Sequence, residues 1–448
     1  MPIRVKTPFI ARTPIWVSSS TSNVVFVPST TDLQNWWQPT GIDSGLASTW
    51  YDSGPEGADL VQAFANPLTL SIPINGKSSI TGVPSSALEN ATTSMTGARE
   101  AWVVIRPHSI GVTSRLVYDG LGGTNRQTLF SQTSGNLIAS AGTNLTVAGG
   151  IVDSRPQILR VVVDGTGTGA IYRVTDISSA STPIAAGTIG SGDWAGITVG
   201  SGNAGSNSFQ GAITELLRYS ALMSPTAVNQ TAAYLLSKYP SAAKYNLTPT
   251  YLLPLGDSLT QGLFSTSGYS YKEKLFYAFE ANDISPTSTL VFNGSVEQEC
   301  FHHDGVTGDT IAQIDARAAA AISASSAGVL VLMAGTNDAQ DAGYNGATAE
   351  SDYASLLATI YTADPTLPIV LCLAPPLTNT THNTNINDLN SRVVNTVVPG
   401  ASSTIYVVDP RDAGWTTGAG YTTDGTHPND AGETALATVI EAGVRLAV

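Results

Sequence analysis

Residues 250–262, TYLLPLGDSLTQG, contain the most specific structural pattern of the C-terminal part. A short apolar run ends in Gly256-Asp257-Ser258, and the residues after it have the pattern of a helix start. This order predicts a strand, a sharp turn at Ser258 and the first turn of a helix. A serine in that position lies at the edge of a sheet, with its backbone N–H near a helix N-terminus. Ser258 is therefore the first candidate for a reactive side chain.

Apolar runs alternate with helix-like stretches through residues 250–448. Short apolar strands flanked by amphipathic helices are typical of a parallel sheet that helices cover on both faces. We therefore expect a three-layer α/β domain with a central parallel sheet, whose functional site lies beyond the carboxyl ends of the strands. The apolar runs are LLPL (252–255), LVF (290–292), VLVLMA (329–334), IVLCLA (369–374) and IYVV (405–408), and the helix-like stretches are 270–282, 310–322, 350–363, 385–397 and 429–444.

Three further blocks of glycine and polar residues follow the first one. They are GVTGDT (305–310), GTND (335–338) after an apolar run, and DGTHPN (424–429) before the last helix-like stretch. The four blocks, in this order, resemble those of the SGNH (GDSL-type) hydrolase superfamily. The resemblance implies an α/β serine hydrolase that needs neither a metal nor a cofactor.

The resemblance also implies a role for each matching residue. Ser258 would be the nucleophile, His427 the general base and Asp424 the residue that orients the imidazole. The oxyanion hole would consist of the backbone N–H groups of Ser258 and Gly308 and the side-chain amide of Asn337. A neutral serine is a poor nucleophile until a neighbouring base takes its proton, and preorganised donors stabilise the oxyanion that follows.

Details between the blocks narrow the branch. Their order resembles microbial carbohydrate esterases of the acetylxylan-esterase type, with Ser267, Asn293 and Asp304 departing from that pattern. This resemblance implies removal of O-acetyl groups from a polysaccharide, while a short-chain lipase or thioesterase stays open. The matching segments are PLGDS (254–258), SGY (267–269), FNGS (292–295) and HDGVTGDTIAQI (303–314).

The N-terminal part has the spacing of turn-forming residues that is typical of an all-β domain. β-prone runs such as AWVVIRP (101–107) and QILRVVV (157–163) are separated by Gly, Asn, Asp and Ser clusters, which favours a sandwich or barrel. Residues 50–54 (WYDSG), 209–215 (FQGAITE) and 234–240 (YLLSKYP) resemble the laminin-G or concanavalin-A-like jelly-roll superfamily. Such domains often bind glycans, and the resemblance leaves glycan binding or docking to a neighbour open.

Four aromatic residues near the start of this part allow two interpretations. Trp36, Trp37, Trp50 and Tyr51 could form a platform for sugar rings. They could instead be core aromatics of a sandwich, and this is the interpretation we favour.

The charge distribution separates two units. The 448-residue chain is only 12% charged, with a net charge of −14. Residues 1–250 hold 14 basic and 13 acidic side chains, whereas residues 251–448 hold 6 and 21. We expect an extended arm (1–29), a β-sandwich (30–240), a linker (241–249) and a hydrolase domain (250–448). An acidic chain is not expected to bind nucleic acid, and no apolar run has the length of a membrane span.

Several points stay open at the level of sequence. His302-His303-Asp304 could be a metal cluster, but a loop role is favoured because adjacent histidines usually point in different directions. Cys372 is expected to be buried, and Cys300 is either free or bonded to it. The first residues do not have the pattern of a secretory signal. Localisation and oligomeric state therefore stay unknown, and a phage-tail or adhesin protein whose esterase modifies a receptor glycan, organised as a trimer, is an alternative.

Overall fold

A computed structural model of the chain describes residues 27–42, 49–63, 69–75, 77–81, 87–108, 115–121, 127–131, 135–151, 155–202, 207–244, 248–281, 288–296, 298, 301–401 and 403–448. Most of the expected N-terminal arm, part of the expected linker (245–247) and Cys300 lie outside these residues. The expectations for those segments therefore stay predictions.

The described residues of the N-terminal part form antiparallel β structure. The strands are β1 (Leu33–Ile42), β2 (Thr49–Asp52), β3 (Leu60–Gln62), β4 (Thr69–Ile74), β5 (Lys77–Thr81), β6 (Leu88–Met95), β7 (Arg99–Pro107), β8 (Arg115–Leu121), β9 (Gln127–Ser131), β10 (Leu137–Ala141), β11 (Asn144–Val147), β12 (Gln157–Val163), β13 (Thr168–Arg173), β14 (Ala185–Thr188), β15 (Trp194–Val199) and β16 (Gly211–Tyr219).

These strands form one continuous hydrogen-bonded path that curls over a core. The order is β11-β10-β9-β8-β15-β6-β3-β2-β1-β16-β7-β12-β13-β14, and the β4–β5 hairpin joins at β16. The two ends of the path meet, since β11 packs against β14. The enclosed core takes Trp37 and Leu60 from one part of the path, and Leu129 and Leu159 from others. Burial of apolar side chains from opposite layers holds such a sheet in its curled form.

The helix that follows, α1 (Pro225–Lys238), packs on the outer face of this sheet. Glu215 of β16 lies fully buried beneath it and accepts four hydrogen bonds. A buried carboxylate is tolerated when its oxygens are paired in this way, so Glu215 ties the helix to the sheet. The donors are the indole of Trp36 (2.6 Å), the hydroxyls of Tyr234 (2.6 Å) and Tyr239 (2.6 Å), and the ammonium of Lys238 (2.9 Å).

The C-terminal part alternates strands with helices. The elements are β17 (Thr248–Gly256), α2 (Ser258–Gln261), α3 (Tyr271–Ala281), β18 (Ser288–Phe292), β19 (Asp304–Gly305), α4 (Ile311–Ser325), β20 (Val329–Met333), α5 (Thr336–Gln340), α6 (Gly346–Ala363), β21 (Ile369–Cys372), α7 (Thr380–Arg392), α8 (Val398–Gly400), β22 (Ile405–Val408) and α9 (Asp430–Ala447).

The central sheet is parallel, in the order β18-β17-β20-β21-β22, with β19 paired to the end of β17. The chain first adds a strand on one side of β17 and then continues on the other side. The order therefore switches direction between β17 and β20, and the crevice beyond that point is where open α/β sheets bind ligands.

Helices cover both faces of this sheet because its strands are apolar on both sides. Leu252 and Val331 face a core that includes residues of α3 and α9. Leu253 and Leu330 face a second core that includes residues of α4 and α6. Two buried faces make each strand a continuous apolar run, which is the pattern read from the sequence.

The two parts pack directly against each other. The guanidinium of Arg106 in β7 lies 3.2 Å from the carboxylate of Glu280 in α3, and both side chains are buried. The same guanidinium lies over the ring of Phe276, at 4.7 Å from its centroid. The backbone N–H of Asn75 also donates to Glu280, at 2.9 Å. These contacts join the β4–β5 hairpin and β7 to the third helix.

The fold class expected from the sequence is confirmed: an all-β part precedes an α/β domain with a central parallel sheet. The laminin-G or concanavalin-A-like assignment and the domain boundaries stay predictions. Two helices begin earlier than expected, at Gly346 and at Thr380. The side chain of the asparagine before each of them, Asn345 and Asn379, accepts hydrogen bonds from the backbone N–H groups of the first turn. Within the described part of the chain, the helices are all too short or too polar to span a bilayer.

Candidate active site

Ser258 lies at the first position of α2, and only Asp257 separates it from the end of β17. Asp257 caps this helix, since its Oδ1 accepts a hydrogen bond from the backbone N–H of Leu259 at 2.9 Å. At the other end of the helix, the ammonium of Lys272 donates to the carbonyl groups of Thr260 and Gln261. The helix is short, but both of its ends are satisfied, so the position of the serine hydroxyl is well defined.

His427 and Asp424 reach this hydroxyl from the loop before α9. The Nε2 atom of His427 lies 2.9 Å from the Oγ of Ser258, and its Nδ1 lies 2.7 Å from Oδ2 of Asp424. The other carboxylate oxygen accepts the backbone N–H groups of Thr426 (3.0 Å) and His427 (2.8 Å). One tight loop therefore presents both side chains, as their spacing in the sequence predicts.

These contacts determine the ionisation of Asp424. Burial raises the pKa of this carboxyl, but the hydrogen bonds from the backbone and imidazole of His427 outweigh burial and lower the pKa to about 2. With Asp424 ionised, Nδ1 of the imidazole carries the proton. The Nε2 atom is then the acceptor that faces the serine hydroxyl.

Gly308 and Asn337 lie at the ends of the neighbouring strands. Gly308 has a positive φ of 82° in the turn between β19 and α4, a backbone conformation that residues other than glycine rarely adopt. The side-chain amide of Asn337, in α5 after β20, donates to the carbonyl of Asp309 at 2.8 Å. An amide nitrogen has two N–H donors, so one contact leaves the second available.

Arg317 of α4 connects the pieces of this site. Its guanidinium donates to a carboxylate oxygen of Asp309 (2.8 Å) and to the carbonyl groups of Asp304 (2.6 Å) and Gly256 (2.6 Å). One planar group with fixed donors thereby links the end of β17, the end of β19 and the residue after Gly308.

Two glutamines complete the framework. The side-chain oxygen of Gln261 accepts the backbone N–H of Thr307 at 2.9 Å, which ties the turn of Gly308 to α2. The amide of Gln340 donates to the hydroxyl of Thr426 at 2.7 Å, which ties the histidine loop to α5. Every loop that carries a candidate residue is thus bonded to a neighbouring element.

Phe264 is a site residue that the sequence did not single out. Its ring centroid lies 5.3 Å from that of the His427 imidazole, at an angle of 65°. The residue follows α2 and is 62% exposed. The string LTQGLFSTSGY contains no periodic signal that distinguishes this phenylalanine from a core residue.

A polar groove is lined by Asp424 and by residues on both sides of it in the sequence. It has a volume of about 730 Å³ and contains several hydroxyl, amide and backbone groups. Its lining residues include Gln340, Thr378, Asn379, His382, Gly418, Thr422, Thr423 and Thr426.

The aromatic platform considered from the sequence does not form. Trp37 and Trp50 are fully buried in the core of the β part, so neither ring can stack on a sugar. Trp36 is half-buried and donates a hydrogen bond to Glu215, and Tyr51 is 48% exposed. Consecutive strand residues point to opposite faces, and this signal already separates Trp36 from Trp37. The favoured interpretation as core aromatics agrees with the burial of Trp37 and Trp50.

The remaining residues that the sequence analysis considered, His303, Asp304 and Cys372, make local contacts. The Nδ1 atom of buried His303 accepts the backbone N–H of Gly305 at 3.0 Å, and burial lowers the pKa of this imidazole to about 3. Asp304 accepts the hydroxyl of Ser295 at 2.5 Å. Cys372 is fully buried, which raises the pKa of its thiol. Among the described residues, no group of three His, Cys, Asp or Glu side chains is arranged to hold a metal ion.

Asp257 combines complete burial with an unusual ionisation. Its Oδ2 has no hydrogen-bond partner among the described residues. Burial raises the pKa of this carboxyl to about 7, and the nearby carboxylates of Asp338 and Asp309 act in the same direction. The carboxyl is therefore partly protonated at neutral pH, and its ionisation works against the folded state.

This ionisation predicts a pH-dependent effect of Asp257→Asn. The amide keeps the acceptor for Leu259 but carries no charge. The pKa of Asp257 is higher in the folded state than in the unfolded state. The contribution of this carboxyl to wild-type stability is therefore fully present below about pH 4 and is lost as the pH rises to about 7. The free energy of unfolding falls over this range by at most about 1.4 kcal/mol per pH unit. The variant should therefore become more stable relative to the wild type as the pH rises over that range. Unfolding midpoints from pH 4.5 to 8 measure the gain, with the exposed Asp412→Asn as control. A difference that does not change with pH would contradict the assignment.

Residues 255–435 match the GDSL-like lipase/acylhydrolase family. No curated protein matches the chain.

Several solved structures are similar to the C-terminal part at low identity. One is a mutant acetyl esterase with an acetate ion (20% identity, 43% of this chain and 95% of that one, TM-score 0.38). The others are family 3 carbohydrate esterases from Talaromyces cellulolyticus (21%, 44% and 96%, 0.37) and from Clostridium thermocellum (20%, 43% and 93%, 0.37).

The family match covers the segment that contains Ser258, Gly308, Asn337, Asp424 and His427. Residues 255–435 of this chain form a domain of the GDSL-like lipase/acylhydrolase family, a hydrolase of the esterase class.

Proposed function

We propose that this protein is a serine esterase that removes O-acetyl groups from a polysaccharide through an acyl-enzyme. The observation that carries the proposal is the continuous contact from Asp424 through His427 to Ser258, with heavy-atom distances of 2.7 and 2.9 Å. A nucleophile, a base and an orienting carboxylate within hydrogen-bond reach are what acyl transfer to serine requires.

In the acylation step, the Oγ of Ser258 attacks the ester carbonyl while its proton passes to Nε2 of His427. The ionised Asp424 stabilises the imidazolium that forms. The negative charge on the former carbonyl oxygen is held by the backbone N–H groups of Ser258 and Gly308 and by the second N–H of Asn337. When the intermediate collapses, the bond to the leaving oxygen breaks and the imidazolium gives its proton to that oxygen, which departs as the free alcohol.

In the deacylation step, a water molecule takes the place of the alcohol. His427 removes its proton, the hydroxide attacks the acyl carbonyl, and the same donors stabilise the second oxyanion. Collapse returns the proton to the Oγ of Ser258 and releases acetate. The protein side chains supply every proton transfer in this cycle.

Three features support an acetylated glycan as substrate. The segments between the four blocks resemble those of acetylxylan esterases. The groove beside Asp424 offers hydroxyl and amide groups that suit a hydroxyl-rich ligand. The 21 acidic and 6 basic residues of 251–448 favour a neutral substrate, since a negative field lowers the local concentration of anions.

The proposal is tested by an acyl-chain series combined with a panel of acetylated polysaccharides. We expect p-nitrophenyl acetate to be the best ester, with about tenfold less activity on the butyrate, because a site shaped for acetyl excludes added methylenes. We also expect acetate release from at least one polysaccharide. Activity that rises with chain length, without release of polysaccharide acetate, would identify a lipase or thioesterase instead.

A second measurement tests the nucleophile directly. Diethyl p-nitrophenyl phosphate should phosphorylate the Oγ of Ser258 with loss of p-nitrophenolate, and mass spectrometry of peptides should locate the adduct on the 250–262 segment. An adduct on another serine would contradict the assignment.

A further inference from the structure

Phe264 is an apolar side chain that the fold leaves in water beside the catalytic base. Among the phenylalanines and tryptophans whose burial the structure describes, it is the only one that is exposed. Its ring packs edge-on against the imidazole of His427. An isolated exposed apolar residue is ordinary on a surface, but its place at the reacting atoms is not.

The backbone of Phe264 is held in an unfavourable conformation. Its φ of 54° lies in the left-handed region, where a bulky residue is an outlier. Strained residues of this kind cluster at functional sites, because the surrounding structure must maintain them.

The loop around Phe264 is built to hold that conformation. The Oγ of Ser265 donates to the carbonyl of Gly262 at 2.9 Å and accepts the backbone N–H of Ser270 at 3.1 Å. Gly262, with φ of 99°, approaches Gly268 so closely that a Cβ would lie 2.6 Å from its carbonyl oxygen. Contacts within the loop therefore fix its conformation, and with it the outward position of the phenyl ring.

The chemistry decides which part of the substrate meets this ring. The imidazole of His427 must donate its proton to the leaving oxygen, so the alcohol part of the ester lies next to His427. The proposed oxyanion donors are the backbone N–H groups of Ser258 and Gly308 and the amide of Asn337, and the last two lie at the ends of other strands. Phe264 contacts the imidazole, and it therefore borders the space of the leaving alcohol.

We propose that Phe264 is a substrate-contacting residue that packs against the sugar ring of the leaving group. This inference rests on the proposed function and specifies the chemistry of one subsite. A phenyl ring has no hydrogen-bonding group, so it recognises the apolar C–H face of a pyranose and not its hydroxyl pattern. Because the alcohol departs before water attacks, Phe264 acts in acylation and has no part in deacylation.

The test compares two leaving groups on full-length variants. Methyl acetate has an alcohol too small to reach the ring, whereas mono-acetylated methyl xyloside and methyl glucoside carry a pyranose. Phe264→Ala should lower kcat/KM on the acetylated glycosides by about tenfold, and on methyl acetate by no more than about twofold. Phe264→Tyr should restore most of the loss, because it keeps the ring. Tyr361→Ala removes an exposed aromatic of α6 and serves as control.

Further readouts separate substrate contact from support of the histidine. The pH profile on methyl acetate and the ratio of acetyl to butyryl activity should be unchanged in Phe264→Ala. Equal losses on both leaving groups, or a shifted pH profile, would overturn the inference and make Phe264 a positioning residue. No loss on any substrate would also overturn it. In both cases Ser258-dependent hydrolysis would persist, whereas an inactive wild type or an active Ser258→Ala variant would reject the proposed function itself.

Discussion

Ser258→Ala is expected to lower kcat for p-nitrophenyl acetate by roughly 10⁴-fold to 10⁶-fold. The alanine has no oxygen to attack the carbonyl, and the acyl-enzyme cannot form. The residual rate would come from the oxyanion donors and from water activated by His427. The loss should be the same for every acyl chain and every leaving group, because all of them share this first step.

Steady-state hydrolysis and active-site titration with diethyl p-nitrophenyl phosphate measure this effect. Ser258 is almost completely buried as a residue, so the melting temperature should be recorded to show that the variant folds. Ser351→Ala, an exposed serine on α6, is the matched control and should keep full activity. A Ser258→Ala variant with more than a few per cent of wild-type activity would exclude the proposed nucleophile.

Asp424→Asn should lower kcat by about 10⁴-fold while the loop keeps its shape. The amide oxygen can still accept the backbone N–H groups of Thr426 and His427, which hold the turn. What disappears is the negative charge that fixes the imidazole tautomer and stabilises its protonated form. The pKa of Asp424 is about 2, so the wild-type carboxylate is ionised throughout the working range. The loss should therefore be constant from pH 5 to 9.

Hydrolysis rates across that pH range, measured beside the melting temperature, test this prediction. Asp430→Asn is a suitable control, since it breaks only an exposed ion pair with Lys274. A variant of Asp424 that keeps a tenth of wild-type kcat would show that another group orients His427. A deficit that shrinks towards pH 5 would contradict the depressed pKa, because a protonated Asp424 would resemble the amide of the variant.

Most of the α/β framework follows from local patterns. The apolar runs are continuous because their strands are buried on both faces, and the glycine-rich blocks fall where those strands end. Asp424 and His427 are three residues apart, so one turn brings them together without help from the rest of the fold. Ser258, Gly308 and Asn337 come from three different strand ends, and a parallel sheet places such ends on the same edge.

Other features depend on distant contacts that no local pattern contains. Arg317 has the sequence context of an ordinary helix residue, and its role appears only when α4 packs against the ends of β17 and β19. Asp257 is a helix cap in sequence, but its raised pKa comes from complete burial. Trp37 and Trp50 were ambiguous aromatics until the sheet curled over them.

From the amino-acid sequence we could predict the order of the elements, the candidate catalytic set of Ser258, His427 and Asp424, and the acidic character of the C-terminal part. These properties depend on residue type and spacing along the chain. The tertiary structure alone decided which aromatic residue meets the site, since Phe264 is exposed at His427 while the tryptophans are covered. The reason is physical: exposure, pKa and ring contacts are set by atoms brought together from remote parts of the chain.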